Sequence, residues 1–237
     1  MANDKVIYND KVIYTAMSAG YDDLRAPAVV DPDIDYIAYT DGSPHEVPAP
    51  WQARSLQRKG RNPRVSSRWY KILPHRHLGE YRLSLWIDAN CELLGSFSRL
   101  FDELAGSAPL AVRRHPERRC SYDEAAVVKE FRLDHPEIVD IQMDYYRACG
   151  YPAQNGLVEA NVLFREHDDP LVLAAMEDWW SQIETFSQRD QLSANYVFWK
   201  HGLAYDILPW SRCSSRSTTM PDSIGEPMTW PRSWSKA

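Results

Sequence analysis

The first clear pattern along the chain is a β-branched and aromatic run, Lys11-Val12-Ile13-Tyr14, which continues through Thr15-Ala16-Met17 and ends in small residues at Ser18-Ala19-Gly20. Such a run predicts a strand entering a loop. The same tetrapeptide stands six positions earlier as Lys5-Val6-Ile7-Tyr8. A second strand, Ile34 to Tyr39, stops at Thr40-Asp41-Gly42. In a third, Leu83, Leu85 and Ile87 alternate with Arg82, Ser84 and Trp86, and the run ends at Asp88. Leu110 to Val112 and Leu157 to Phe164 are two more candidate strands.

Helical stretches lie between the later strands. Ser121-x-x-Glu124 has the capping-box pattern ahead of Ala125, Val127 and Val128. Asp134, with Pro136 and Glu137 behind it, reads as the N-cap of a helix carrying Ile138, Ile141, Tyr145 and Cys149, with Gly150 as its stop. Another helix starts near Asp169-Pro170 and carries Val172, Met176, Trp179, Ile183 and Phe186 on one face. Of the adjacent Trp179 and Trp180, one is expected in the core. Ser187 is placed to cap a last helix that runs to Lys200. Strands alternating with helices predict an α/β domain with a mostly parallel central sheet flanked by helices, in which ligands sit beyond the carboxyl ends of the strands.

Composition supports a folded protein: of 237 residues, 44% are hydrophobic and 25% charged. The longest apolar stretch, about Leu171 to Met176, is far short of the ~20 residues of a membrane span. The first ten residues lack a basic-then-apolar leader, so the expected location is the cytoplasm. Cys91, Cys120, Cys149 and Cys213 are widely spaced and read as reduced thiols. After Pro209 the chain is rich in Ser, Arg, Pro and Trp without periodicity. The expected organisation is therefore an extension over 1–10, one domain over 11–208 and a tail over 209–237.

Charge changes the picture more. The net charge of −6 covers an asymmetry: Met1 to Pro50 holds nine acids against three bases, whereas Trp51 to Arg76 holds eight bases, His75 and no acid. Such a segment either meets phosphates or is a solvated face. Asp88 and Asn90 stand two residues apart at the end of an apolar strand, so both project to one side of the sheet edge. Two hard oxygen donors at that spacing suit Mg²⁺ or Mn²⁺, although Asp and Asn also favour turns after strands. Glu159 lies inside an apolar strand, where a carboxylate has to be paired or protonated.

Several blocks occur in a telling order: Ile13-Tyr14-Thr15-Ala16, Gly20-Tyr21-Asp22-Asp23-Leu24, Tyr39-Thr40-Asp41, Arg68-Trp69-Tyr70-Lys71-Ile72-Leu73-Pro74-His75-Arg76, and Ser84-Leu85-Trp86-Ile87-Asp88-Ala89-Asn90. His115-Pro116-Glu117-Arg118-Arg119-Cys120, Gln142-Met143, Arg165-Glu166-His167, Trp179-Trp180 and Ser187-Gln188-Arg189-Asp190-Gln191-Leu192-Ser193 follow. From Val12 to His201 this resembles the glycosyltransferase-like domain of plant mucilage-related and turgor-related proteins, a family similar in design to GT-A nucleotide-sugar transferases of glycosyltransferase family eight.

The resemblance implies a GT-A-like, Rossmann-type domain that moves a sugar from a nucleoside-diphosphate donor to a hydroxyl of a glycan or other acceptor. It implies Mn²⁺ or Mg²⁺ on Asp88 and Asn90, with His201 or His167 as a further ligand. Asn90 stands where family eight carries a second carboxylate. Thr15, Ala16, Gly20, Tyr21 and Asp41 would hold the nucleoside, and Lys71, His75 and Arg76 the diphosphate. Asp190 and Gln191, with Glu159, would serve the sugar being transferred. Two rival readings stand beside this one. The first is a catalytically silent sugar- or nucleotide-binding member of the same fold. The second is a nucleic-acid-binding protein using the stretch from Arg54 to Arg76, with its Trp and Tyr as stacking groups. The second has a pI near 5.6 against it.

Overall fold

The computed structural model describes residues 9–18, 24–42, 47–57, 62–208 and the backbone of 213–215. The chain opens with β1 (Lys11–Met17), β2 (Asp35–Thr40) and β3 (Gln52–Ser55), followed by α1 (Pro63–Ile72) and a 3₁₀ turn at Pro74–Arg76. Next come β4 (Leu83–Ile87), β5 (Cys91–Leu93), α2 (Ser98–Leu104), β6 (Leu110–Arg114), α3 (Ser121–Glu130) and α4 (Pro136–Ala148). It closes with β7 (Val158–Glu166), α5 (Pro170–Thr185), α6 (Asp190–His201), β8 (Asp206–Ile207) and β9 (Cys213–Ser215).

Seven strands form one sheet in the order β3-β2-β1-β4-β7-β6-β8, and β5 pairs with β9 apart from it. The pairings β1–β2, β1–β4, β2–β3 and β6–β8 are parallel, while β7 runs antiparallel to both β4 and β6. The expected α/β architecture with a mostly parallel sheet is thus present. β4 is buried throughout and β1 at every position but Lys11, because they lie mid-sheet with both faces covered. One face packs Val12, Tyr14, Trp86 and Leu163 against α1 and the later helices, and the other packs Ile13, Leu85 and Phe164 against Leu100 and Phe101 of α2. From β1 the chain builds outward to β2 and β3 on one side, and β4 then returns to the other side of β1. That reversal opens a crevice beyond the carboxyl ends of β1 and β4.

Several elements differ from the sequence reading for identifiable reasons. β3 reads Gln-Ala-Arg-Ser and is half open at a sheet edge, so it carries no hydrophobic alternation. α1 is mostly polar and basic, and its start is set by Asn62, whose side chain accepts from the Val65 amide, with Pro63 at the first helical position. α5 starts at Asp169-Pro170 as expected, with the Asp169 side chain capping it by accepting from the amides of Leu171 and Val172. The expected caps move. Ser121 is the first residue of α3 and does not cap it, and Arg189, not Ser187, stands at the N-cap of α6. Gly150 does end α4, at φ +79°. Both Trp179 and Trp180 are buried, because α5 is covered on more than one side.

Asp134 stands one residue ahead of the α4 cap and works across the fold instead. Its Oδ2 accepts from Ser187 Oγ and from the Gln188 amide, both at 2.8 Å, and so fixes the turn between α5 and α6. Replacing it by alanine removes a charged acceptor from two donors. Asp134→Ala is expected to lower unfolding free energy by about 2 kcal/mol in urea denaturation, with an unchanged slope.

Candidate functional site

A cleft of about 500 Å³ occupies the crevice at the ends of β1 and β4. Ala16 and Trp86 contribute from the strands, and Asp88, Ala89 and Asn90 from the turn after β4. That turn is rigid: the Asp88 amide donates to Asn161 O and the Cys91 amide to Asp88 O, both at 2.8 Å. Both predicted oxygen donors therefore face the cleft.

The opposite wall is α1. Arg64, Ser67 and Arg68 line the cleft, and Lys71 continues the same stripe one turn further on. Steps of three and four residues bring these side chains to one helix face. The first turn of α1, with Asn62, Pro63 and Arg64, also lines the cleft. Asn62 at the cap and Gln188 before α6 close the rim, bonded to each other at 2.8 Å. Arg64, Ser67, Asn62 and Gln188 were absent from the expected donor-binding set, as was a role for Arg68. The spacing 64, 67, 68, 71 was the signal that could have found the α1 residues.

Beneath the cleft lies a buried ion cluster. Lys71 Nζ sits 2.7 Å from Asp190 Oδ2 and 3.2 Å from Asp88 Oδ1, with its side chain only 2% exposed. Trp86 Nε1 donates to the same Asp88 oxygen at 2.7 Å, and the ammonium lies 5.7 Å from the centroid of the Trp86 ring. Arg68 Nε approaches Asp190 Oδ1 at 3.2 Å. Burial works against the Asp190 charge, but Arg68, Lys71 and Arg189 together outweigh it and hold the carboxyl well below its usual range. Trp179 Nε1 donates to Asp190 O and to Ser193 Oγ, each at 3.1 Å, which fixes the start of α6.

The main chain of Lys71 is held as firmly. Its carbonyl accepts from Arg165 Nη1 at 2.6 Å and from the Tyr14 hydroxyl at 3.2 Å. Glu159 is half-buried on β7, opposite Arg113 of β6. Burial raises its pKa and the Asp88 charge adds to the rise, against the opposing pull of Arg113 and Lys71.

Other expected residues are placed elsewhere. His75 Nε2 lies 2.7 Å from Glu177 Oε1, and Arg76 holds the same carboxylate through Nε and Nη2, so both serve the 3₁₀ turn and its contact with α5. Arg76 lines a second cavity of about 500 Å³, with Arg54, Trp69 and His77, instead of the cleft. His201 pairs with Asp178 at 2.9 Å, at the far end of α6 from Asp190, about 16 Å away at the rise of an α-helix. His167 is buried against Ser84 at the start of β4, the end remote from Asp88, and burial lowers its pKa to about 3. Neither histidine reaches Asp88. Thr15 is buried and, by strand alternation, faces the side of Ile13 and Met17, away from the cleft. Asp41 is exposed after β2 and Gln191 follows Asp190 in the first turn of α6; neither lines the cleft. Gly20 and Tyr21 lie outside the described residues.

A family model described as TOD1/MUCI70, glycosyltransferase-like domain, matches residues 56–219, well over half of the chain. The chain belongs to this family. The matched TOD1/MUCI70 region contains α1, the turn after β4, Glu159 and Asp190. Among curated proteins, the probable hexosyltransferase MUCI70 of Arabidopsis thaliana is 28% identical over 137 residues. That match spans 54% of this chain but only 23% of the plant protein. Among solved structures, mouse xyloside xylosyltransferase 1 aligns over 84% of each chain at 13% identity and a TM-score of 0.43. The bifunctional glycosyltransferase WbbM aligns over 84% of this chain and 38% of its own at 9% identity and a TM-score of 0.47. GlyE of Streptococcus pneumoniae TIGR4 aligns over 84% and 44% at 11% identity and 0.43. These scores are low, and membership rests on the family match. Among the described residues no helix is long and apolar enough to cross a membrane.

The ion cluster yields a pH prediction. Because the native pKa of Asp190 lies below the unfolded value of 3.8, the unfolded state binds more protons in acid. The stability from this group is therefore complete above that value and is lost as pH falls through the native pKa. Asp190→Asn is expected to cost about 3 kcal/mol at neutral pH, with the deficit shrinking below about pH 4 in denaturant titrations.

Proposed function

We propose that this domain is a nucleotide-sugar-dependent glycosyltransferase whose donor lies in the cleft at the ends of β1 and β4. The observation that carries the reading is the convergence of Arg64 and Arg68 of α1 with Asp88 and Asn90 on one crevice. Guanidinium groups and a helix N-terminus together favour a diphosphate. Ala16 and the end of β1 would meet the nucleoside.

Among the described residues no three His, Cys, Asp or Glu side chains are grouped so that they could hold a metal ion. Asp88 and Asn90 nonetheless fit a Mg²⁺ or Mn²⁺ that takes one or two protein oxygens and completes its shell with phosphate and water. When bound, such an ion would neutralise charge on the leaving diphosphate. Arg64 and Arg68 hold that diphosphate from the other wall. In the transfer itself, the bond from the anomeric carbon to the diphosphate oxygen breaks and a bond to the acceptor oxygen forms, while the acceptor proton leaves to a base. Glu159, raised in pKa and within electrostatic reach of Asp88, serves this sugar end. Asp190 acts from below by holding Arg68 and Lys71 in place.

The nucleic-acid reading loses its main support once the basic run is folded. Among the described bases of that run, Arg54 pairs with Glu80, Arg68 and Lys71 with Asp190, and Arg76 with Glu177, so these charges are largely engaged by carboxylates of the fold itself.

A thermal-shift panel of nucleoside diphosphates and nucleotide sugars, with and without Mn²⁺, tests the donor site. A shift with a nucleoside diphosphate, and none with single-stranded oligonucleotides, is expected. Arg64→Ala and Arg68→Ala are each expected to weaken nucleoside-diphosphate binding about tenfold or more, and Arg54→Ala to leave it unchanged. Equal losses at all three positions would instead indicate diffuse attraction. Glu159→Gln is expected to keep nucleotide affinity and lose transfer measured as release of the nucleoside diphosphate; retained turnover would return Glu159 to pairing with Arg113. A silent member of the fold would bind the donor without turning it over.

A further inference from the structure

The cation that balances Asp88 in this structure is a side chain. Lys71 Nζ lies between Asp88 and Asp190 and is almost wholly shielded from water. Its helix end cannot drift, since Arg165 and Tyr14 both bond the Lys71 carbonyl. One oxygen of Asp88 already accepts from two donors, Lys71 and Trp86. The cleft above adds Arg64 and Arg68. A divalent cation approaching Asp88 alone therefore meets a carboxylate that already shares an ammonium and a wall of like charge, with Asn90 offering only an uncharged oxygen.

We infer that Lys71 is a resident counter-ion of Asp88 that makes uptake of a divalent ion conditional on a diphosphate. The anion supplies the negative charge that Asp88 and Asn90 cannot provide by themselves, and it offsets Arg64 and Arg68 at the same time. Asp190 is the other half of this device, because it holds part of the Lys71 charge away from Asp88. Lys71 thereby sets the order in which ligands enter, and it does so without touching the nucleoside. The inference rests on the metal-assisted reading of the cleft.

The test measures protein-bound Mn²⁺ as its excess on the protein side in equilibrium dialysis, with any nucleoside diphosphate equilibrated across the membrane, on the whole chain, with folding of each variant checked by circular dichroism. Wild type is expected to take up Mn²⁺ with a nucleoside diphosphate present and at least about tenfold more weakly with Mn²⁺ alone. Lys71→Gln is expected to bind Mn²⁺ alone at least about tenfold more tightly than wild type, and the double variant Lys71→Gln with Asp88→Asn to lose that gain. Lys71→Arg, which keeps the charge, should behave as wild type. If Lys71→Gln does not fold, Asp190→Asn reads the same device from the other side: Lys71 is then shared with no second carboxylate, and diphosphate-dependent Mn²⁺ uptake should weaken. No gain in folded Lys71→Gln, no weakening in Asp190→Asn, or equal binding by wild type with and without diphosphate overturns the inference while leaving the metal-assisted reading in place. Absence of Mn²⁺ uptake by wild type even with a nucleoside diphosphate overturns both.

Discussion

The ammonium of Lys71 is the point on which the site turns. It ties the last turn of α1 to the end of β4 through Asp88 and to the first turn of α6 through Asp190. Three elements far apart in sequence thus meet at one buried charge. Leaving any member of such a cluster unpaired is costly, so the cluster fixes the distance between the α1 wall and the strand-end turn. The rest of the cleft follows from that distance, including how far apart Arg68 and Asp88 stand across it.

Much of the frame was legible in the residues. β1, β4 and β7 announced themselves through apolar and β-branched residues, β4 by the alternation of Leu83, Leu85 and Ile87, and Asp88 with Asn90 marked the end of that strand. α1 was hidden for the opposite reason. Its buried contribution is confined to a few positions such as Val65, Tyr70 and Ile72, while its other face is given to charge, so it read as a basic segment and not as a helix. Once α1 is known to be helical, Arg64 and Arg68 become wall residues, and His75 and Arg76 fall past its end. Local order in sequence had suggested that the bases nearest β4 would be the phosphate contacts. The turn at Pro74 sends those two toward Glu177 instead.

His201 and His167 show a second limit. Each is a chemically plausible ligand, and spacing along the chain cannot tell which end of a helix or strand a residue occupies relative to a site. Asp190 and His201 share α6, yet one lies under the cleft and the other pairs with Asp178 at the opposite end. Asp134 makes the same point for capping: a residue with the right chemistry one position too early found a better use across the fold, on Ser187 and Gln188.

The margins of the seven-stranded sheet have a separate consequence. β3 is a four-residue strand with three polar side chains, one of them Arg54, and β8 is only two residues long. Short, charged edges are poor templates for a neighbouring strand. Among the described residues, then, both margins of the sheet discourage strand addition by their length and charge, and the sheet's backbone hydrogen bonding is satisfied chiefly within its five longer strands.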